Sequence, residues 1–338
     1  MRLGLGCIAL GLTLLTSCAD EPTKAQPAQL APARSEALPT SPPPPTPPVQ
    51  IEMRNVLLHV DDGIVLAIDR LRGEMISKSP GRPPVFDDGR SYVLKVSSAT
   101  MAIDMQSLST LMNRHVFGYE GAPLKDLEVK ATGDGRLEQS GKLDKAIDVP
   151  FSMKASVSAT TDGRLKIHMD SMKAARVPVK GLLAMFGLEL DDLANLERRR
   201  GLTASDNDII INVGQVLPPP EITGRLSRVA VVGNRLVQTF APAEGERVPA
   251  LRPPGVSARN YVYFSGGTIR FGKLTMSDAD PQLIDADMKD PFDFFPGRYH
   301  EQLVAGYSKN TPRLGLKTYM PDFSDLRRSR NLPPKPRS

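Results

Sequence analysis

Strict alternation over Phe151–Thr160 constrains this chain more than any other feature. Phe151, Met153, Ala155, Val157 and Ala159 fall on one side of an extended strand, with Ser152, Lys154, Ser156, Ser158 and Thr160 on the other. Thr161-Asp162-Gly163 supplies a turn, after which Leu165, Ile167 and Met169 continue the apolar side opposite Arg164, Lys166, His168 and Asp170. A hairpin with one oily and one wet face belongs to an antiparallel sheet packed on a second layer.

Further strands read out on either side. Asn55–Val60 and Ile64–Arg70 flank the turn signal Asp61-Asp62-Gly63, and Ser91–Met101 is rich in β-formers. Asp104 is placed to cap a helix whose Met105, Leu108, Leu111, Met112, His115 and Val116 share one face, with Gly118 as the stop. Leu127, Val129 and Ala131 alternate before Gly133-Asp134-Gly135, and Arg136–Lys142 returns. A second helix is predicted from about Val179 to Arg199, with Val179, Leu182, Leu183, Phe186, Leu190, Leu193 and Leu196 as its stripe and Gly201 ending it. Asp208–Val213, Glu221–Val232 and Arg235–Phe240 follow as strands, and a charged, Pro-rich loop covers Ala241–Gly255. Tyr261–Phe264 and Thr268–Met276 flank Gly266-Gly267, a hairpin signal. Strand pair, helix, meander, helix, meander is the order of an α+β fold, not of an α/β fold.

The N-terminus carries a different message. Met1 and Arg2 precede an apolar run, Leu3 to Leu15, which is shorter than the about 20 residues of a spanning helix and has the form of a secretory signal. Leu15-Thr16-Ser17-Cys18 resembles the lipobox of bacterial lipoproteins. That resemblance implies cleavage before Cys18, acylation of its thiol and amine, and a membrane anchor. Ala19 resembles the outer-membrane-sorted class, so an outer membrane lipoprotein facing the periplasm is expected. From Ala19 to about Val49 the chain is mostly Ala, Pro, Ser, Thr and Gln, ending in Pro42-Pro43-Pro44-Pro45-Thr46-Pro47-Pro48. Such a segment buries too little to fold and favours extended polyproline II, so residues 18–50 read as a linker. The domain then spans 51–240, with 241–326 as an added hairpin region and a basic tail over 327–338.

Of the two cysteines, Cys7 leaves with the signal, so no internal disulfide and no catalytic thiolate remain. Tryptophan is absent and aromatics make up 5% of residues, which argues against stacking platforms for nucleic acid or sugars. His59, His115, His168 and His300 have no second ligand at metal spacing, and no nucleophile elbow, phosphate loop or dinucleotide fingerprint occurs. No catalytic residue, metal site, cofactor or nucleic-acid partner is therefore expected. Asp278, Asp280, Asp285, Asp287, Asp290 and Asp293 crowd together, yet they lack the EF-hand pattern and read as turn and cap residues. Phe292, Phe294 and Phe295 beside them read as a plug or edge packed on the core, with a partner or membrane contact as the alternative.

The order helix Asp104–Phe117, long meander with Val149-Pro150-Phe151, Val177-Pro178-Val179, helix Lys180–Arg199 and Leu217-Pro218-Pro219-Pro220-Glu221-Ile222 resembles bacterial members of the tubular lipid-binding (TULIP) superfamily, over about Asn55 to Phe240. The resemblance implies a long curved antiparallel sheet wrapped around amphipathic helices, with an apolar tube for acyl chains and no catalysis. The walls would come from Phe151, Met153, Val157, Leu182, Leu183, Phe186 and Leu190. The same patterning also makes an ordinary filled core. A structural or assembly lipoprotein binding a protein partner or the cell wall is the alternative, told apart by a solid core and an exposed patch.

Overall fold

The computed structural model describes residues 47–144, 148–174, 201–205, 207–242, 244–248, 251, 253, 258–311 and 315–326. The predicted helix over 179–199, with Leu182, Leu183, Phe186 and Leu190, lies outside the described residues, as does Cys18. Among the described residues, no helix is long and apolar enough to cross a membrane.

Three long strands form the backbone of the fold: β1 (Val49–Asp61), β2 (Ile64–Ser77) and β3 (Tyr92–Asp104). The expected Asp62-Gly63 turn joins the first two, with Gly63 at φ +75°. Pairing of β2 with β3 shifts register twice, between Ile68 and Arg70 and between Arg72 and Gly73. Each bulge adds a residue and resets the alternation. The same face therefore stays inward for the whole length: Leu66, Ile68, Leu71 and Met75 on β2, Leu94, Val96, Ala99, Met101 and Ile103 on β3, all buried. Bulges also add twist, which suits a sheet that curls into a half-barrel.

The Asp104 carboxylate accepts from the Ser107 amide at 2.8 Å and opens helix α1 (Met105–Leu111), which continues as a π-turn to Val116. The meander follows as β4 (Leu124–Ala131), β5 (Leu137–Leu143), β6 (Val149–Ala159) and β7 (Leu165–Ala174). With β8 (Leu202–Ser205) and β9 (Asp208–Ile211) these make a six-stranded sheet in the order β4-β5-β6-β7-β9-β8. Helix α1 ties the two sheets together. The Asn113 side chain both donates to Leu127 O and accepts from Leu127 N–H, and Ser109 Oγ accepts from Val129 N–H, so β4 is held at its edge.

The single turn α2 (Val213–Val216) leads through Leu217-Pro218-Pro219-Pro220 to β10 (Glu221–Gly224), β11 (Leu226–Val232) and β12 (Arg235–Phe240). Sequence reading expected one strand over Glu221–Val232; instead β10 runs parallel to β3 and β11 pairs antiparallel with β12. The remaining strands follow residue 260, and all but the fourteenth and fifteenth join the large sheet. They are β13 (Tyr261–Ser265), β14 (Thr268–Phe271), β15 (Leu274–Ser277), β16 (Pro281–Asp285) and β17 (Phe292–Phe294), then helix α3 (Tyr299–Ala305), β18 (Tyr307–Asn310) and β19 (Leu316–Met320). The order is β11-β12-β3-β2-β1-β13-β16-β19-β18, with β17 alongside β1.

The expected hairpin about Gly266-Gly267 is not formed. Both glycines turn the chain with positive φ, but β13 pairs with β1 and β16 while β14 pairs with β15. Both edges of β13 are already paired, one with β1 and the other with β16, so β14 finds no edge of β13 to fold back on and pairs with β15 instead. Phe292 and Phe294 are fully buried and stacked at 5.2 Å, which is the plug expected of them. The described fold is thus predominantly β, with a long curved, mostly antiparallel sheet and a smaller sheet facing it across one core.

Candidate functional site

The inward faces of both sheets meet around a cavity of about 80 Å³. Leu66, Met101, Ile103 and Leu236 line it from the large sheet; Val129, Leu137, Met153, Leu165 and Ile211 line it from the small one. Helix α1 adds Leu108, Leu111 and Met112, and α2 adds Val213 and Val216. Seventeen of the nineteen lining residues are apolar, none is charged, and the remaining two are Gln139 and Gln238.

A second cavity, of about 220 Å³, lies on the same concave face toward the opposite end of β3. Tyr92 and Leu94 line this one, whereas Met101 and Ile103 line the first. Ile51, Met53, Met75, Phe86 and Phe294 complete its apolar wall. The partition is chain segment 213–222: its Val213, Val216 and Leu217 face the first cavity, its three prolines and Ile222 the second.

Sequence reasoning located this wall unevenly. Met153 lies on it, as do Leu165 and Ile167 from the same hairpin. Phe151 does not: it packs with Leu124, Leu127, Leu143 and Val149 in a satellite cluster on the same sheet, with Met112 and Phe117 from the end of the α1 segment packed against it. Val157 does not line it either: it is half-buried and packs against the main core outside the cavity wall. Gln139 and Gln238 were missed. Their signal was a glutamine at an inward position, Leu137-x-Gln139 and Leu236-x-Gln238-x-Phe240.

The acidic segment serves structure. Asp285 accepts from the Asp287 amide and from the Asn260 side chain, Asp287 from the Lys289 amide, and Asp280 from the Thr311 hydroxyl. Asp285, Asp287 and Asp290 bring carboxylate oxygens within 4.8 Å of one another. Burial pushes Asp293 upward, but contact with His59 at 2.5 Å and with Ser324 outweighs it and holds the carboxyl below its usual range. Asp322 moves the other way: burial and the neighbouring charges of Asp285, Asp290 and Asp293 raise it to about 7, against the Asp293 amide bond that lowers it.

A carboxyl raised in the folded state takes up a proton that the unfolded chain has already released. Its contribution to stability is complete below the ordinary aspartate value and fades as pH rises from about 4 through 7. Asp322→Asn keeps the acceptor for Asp293 N–H and removes the ionisation. The variant is expected to be more stable than wild type at pH 8 by about 1–3 kcal/mol and equal to it near pH 4. Urea denaturation at both pH values checks this; a variant weakened at pH 8 would contradict it.

No protein-family model matches the chain, and the comparisons with curated proteins and with solved structures likewise return no match.

Proposed function

We propose that this chain is a membrane-tethered periplasmic lipoprotein that holds an acyl chain between its two sheets, without catalysis. The observation that carries the reading is the uncharged, methionine-bearing cavity between the concave sheet and the meander. A TULIP-like architecture, the tether at Cys18 and an outer-membrane location belong to the same proposal, supported by Leu15-Thr16-Ser17-Cys18, Ala19 and the proline-rich linker. The free volume sets the ligand class. Pockets for whole small molecules usually reach about 300–1,000 Å³, so about 80 Å³ suits part of one chain and not a diacyl lipid in the resting state. Met101, Met112 and Met153 are unbranched and adapt their shape, which lets a chain enlarge the space as it enters.

Feeding cells a diazirine fatty acid, irradiating them and mapping adducts by mass spectrometry tests the reading. Adducts are expected on peptides containing Met153 or Ile167, and Met153→Trp should reduce them at least about fivefold by filling the wall. The scaffold reading draws on one specific observation: Val304 is 84% exposed and Tyr307 54% exposed, beside the free edge of β18. Adducts confined to that surface, or absent altogether, would sink the acyl-chain reading in favour of the scaffold.

A further inference from the structure

Two glutamines interrupt the apolar wall. Gln238 is 5% exposed and sits at an inward position of β12 between Leu236 and Phe240, across from Met101. Its Oε1 is buried and has no hydrogen-bond partner. Gln139 faces the same cavity from the opposite sheet, flanked across its strand by Val129 and Met153. Packing alone does not account for an amide here, because methionine fills nearly the same shape with no polar atoms to satisfy.

A buried carbonyl oxygen costs free energy until a donor reaches it. A bare hydrocarbon threaded past Gln238 leaves that oxygen unpaired, and an ionised head group finds no countercharge among the lining residues. A neutral hydroxyl meets both conditions. It donates to Oε1, and its own oxygen accepts from the Nε2 of the same kind of amide. The cavity has room for a water beside Gln238, and a ligand that displaces such a water must reproduce its hydrogen bond or lose affinity. Resting on the acyl-chain reading above, we infer that the cavity selects a single-chain, uncharged ligand bearing a hydroxyl group, with Gln238 Oε1 as the acceptor.

The full chain carrying Cys18→Ala, so that no anchor chain competes for the cavity, is titrated calorimetrically with 1-octanol, 4-octanol and 1-methoxyoctane. The ether keeps the oxygen and the chain but cannot donate. At least one alcohol is expected to bind about tenfold or more tightly than the ether. A better 1-octanol assigns a hydroxyl at the chain end, a better 4-octanol one within the chain. Gln238→Leu should erase the preference, bringing the alcohols and the ether to the same affinity within about twofold, since the acceptor that tells them apart is lost. Should that variant fail to fold, Gln238→Met replaces the amide at nearly constant shape. Equal binding of alcohols and ether by wild type, or a preference that survives both substitutions, overturns the hydroxyl assignment and leaves chain binding standing. Binding of none of the three overturns both.

Discussion

Gly214→Ala is expected to leave little folded protein. A Cβ at this position would lie 1.4 Å from the carbonyl oxygen of Ile222, inside any contact distance. The obstacle is backbone, so no side-chain rotation relieves it. Ile222 is itself held, through the parallel pairing of β10 with β3 that sets it beside Leu94. A methyl group must therefore unwind α2 or lift β10 off the large sheet, and either change opens both cavities at their shared partition. The loss should exceed about 4 kcal/mol, the range reserved for core disruption. Gly133→Ala is the control: its turn has nothing within 4 Å of an added Cβ. Circular dichroism and urea unfolding of the two variants decide the point. A Gly214→Ala protein melting within a few degrees of wild type would mean that α2 does not pack on β10 in this way.

The second large effect concerns attachment. Cys18→Ala should move the protein from the membrane to the soluble fraction on cell fractionation. Each buried methylene of an acyl chain contributes about 0.8 kcal/mol, and two or more chains give lasting anchorage. The described residues offer no spanning helix as a substitute, and the run Leu3–Leu15 is shorter than a bilayer requires. A variant that still sediments with membranes after a high-salt wash would remove the anchor from the proposal.

Legibility followed the locality of the signal. The cap at Asp104 and the turn at Asp62-Gly63 are written within a few residues, and both formed as read. The hairpin of β6 and β7 was equally plain, since its alternation needs only a covering layer. Partner choice was not legible. Nothing in Glu221-Ile222-Thr223-Gly224 names β3 as its parallel neighbour, and nothing in Tyr261–Ser265 names β1. The bulges of β2 and β3 were hidden for a related reason. An inserted residue looks like a break in alternation until the paired strand shows where the count resumes. At the site, alternation marked which side of β6 faces inward but not how far the cavity extends along it, so Met153 belongs to the wall while Phe151 and Val157 do not. Gln238 escaped because a polar residue at an inward position reads as noise until its surroundings are known.

The pairing of β1 with β13 has a kinetic consequence. Gln50 meets Ser265 and Arg54 meets Tyr261, contacts that close a loop of about two hundred residues. Contacts so distant in sequence make folding slow, because the entropy of closure is spent before the sheet rewards it. A chain emerging N-terminus first therefore carries β1 with one edge bare until the residues near 261 have followed. Late closure of this kind means that the large sheet is completed only once the C-terminal third of the chain is available to pair.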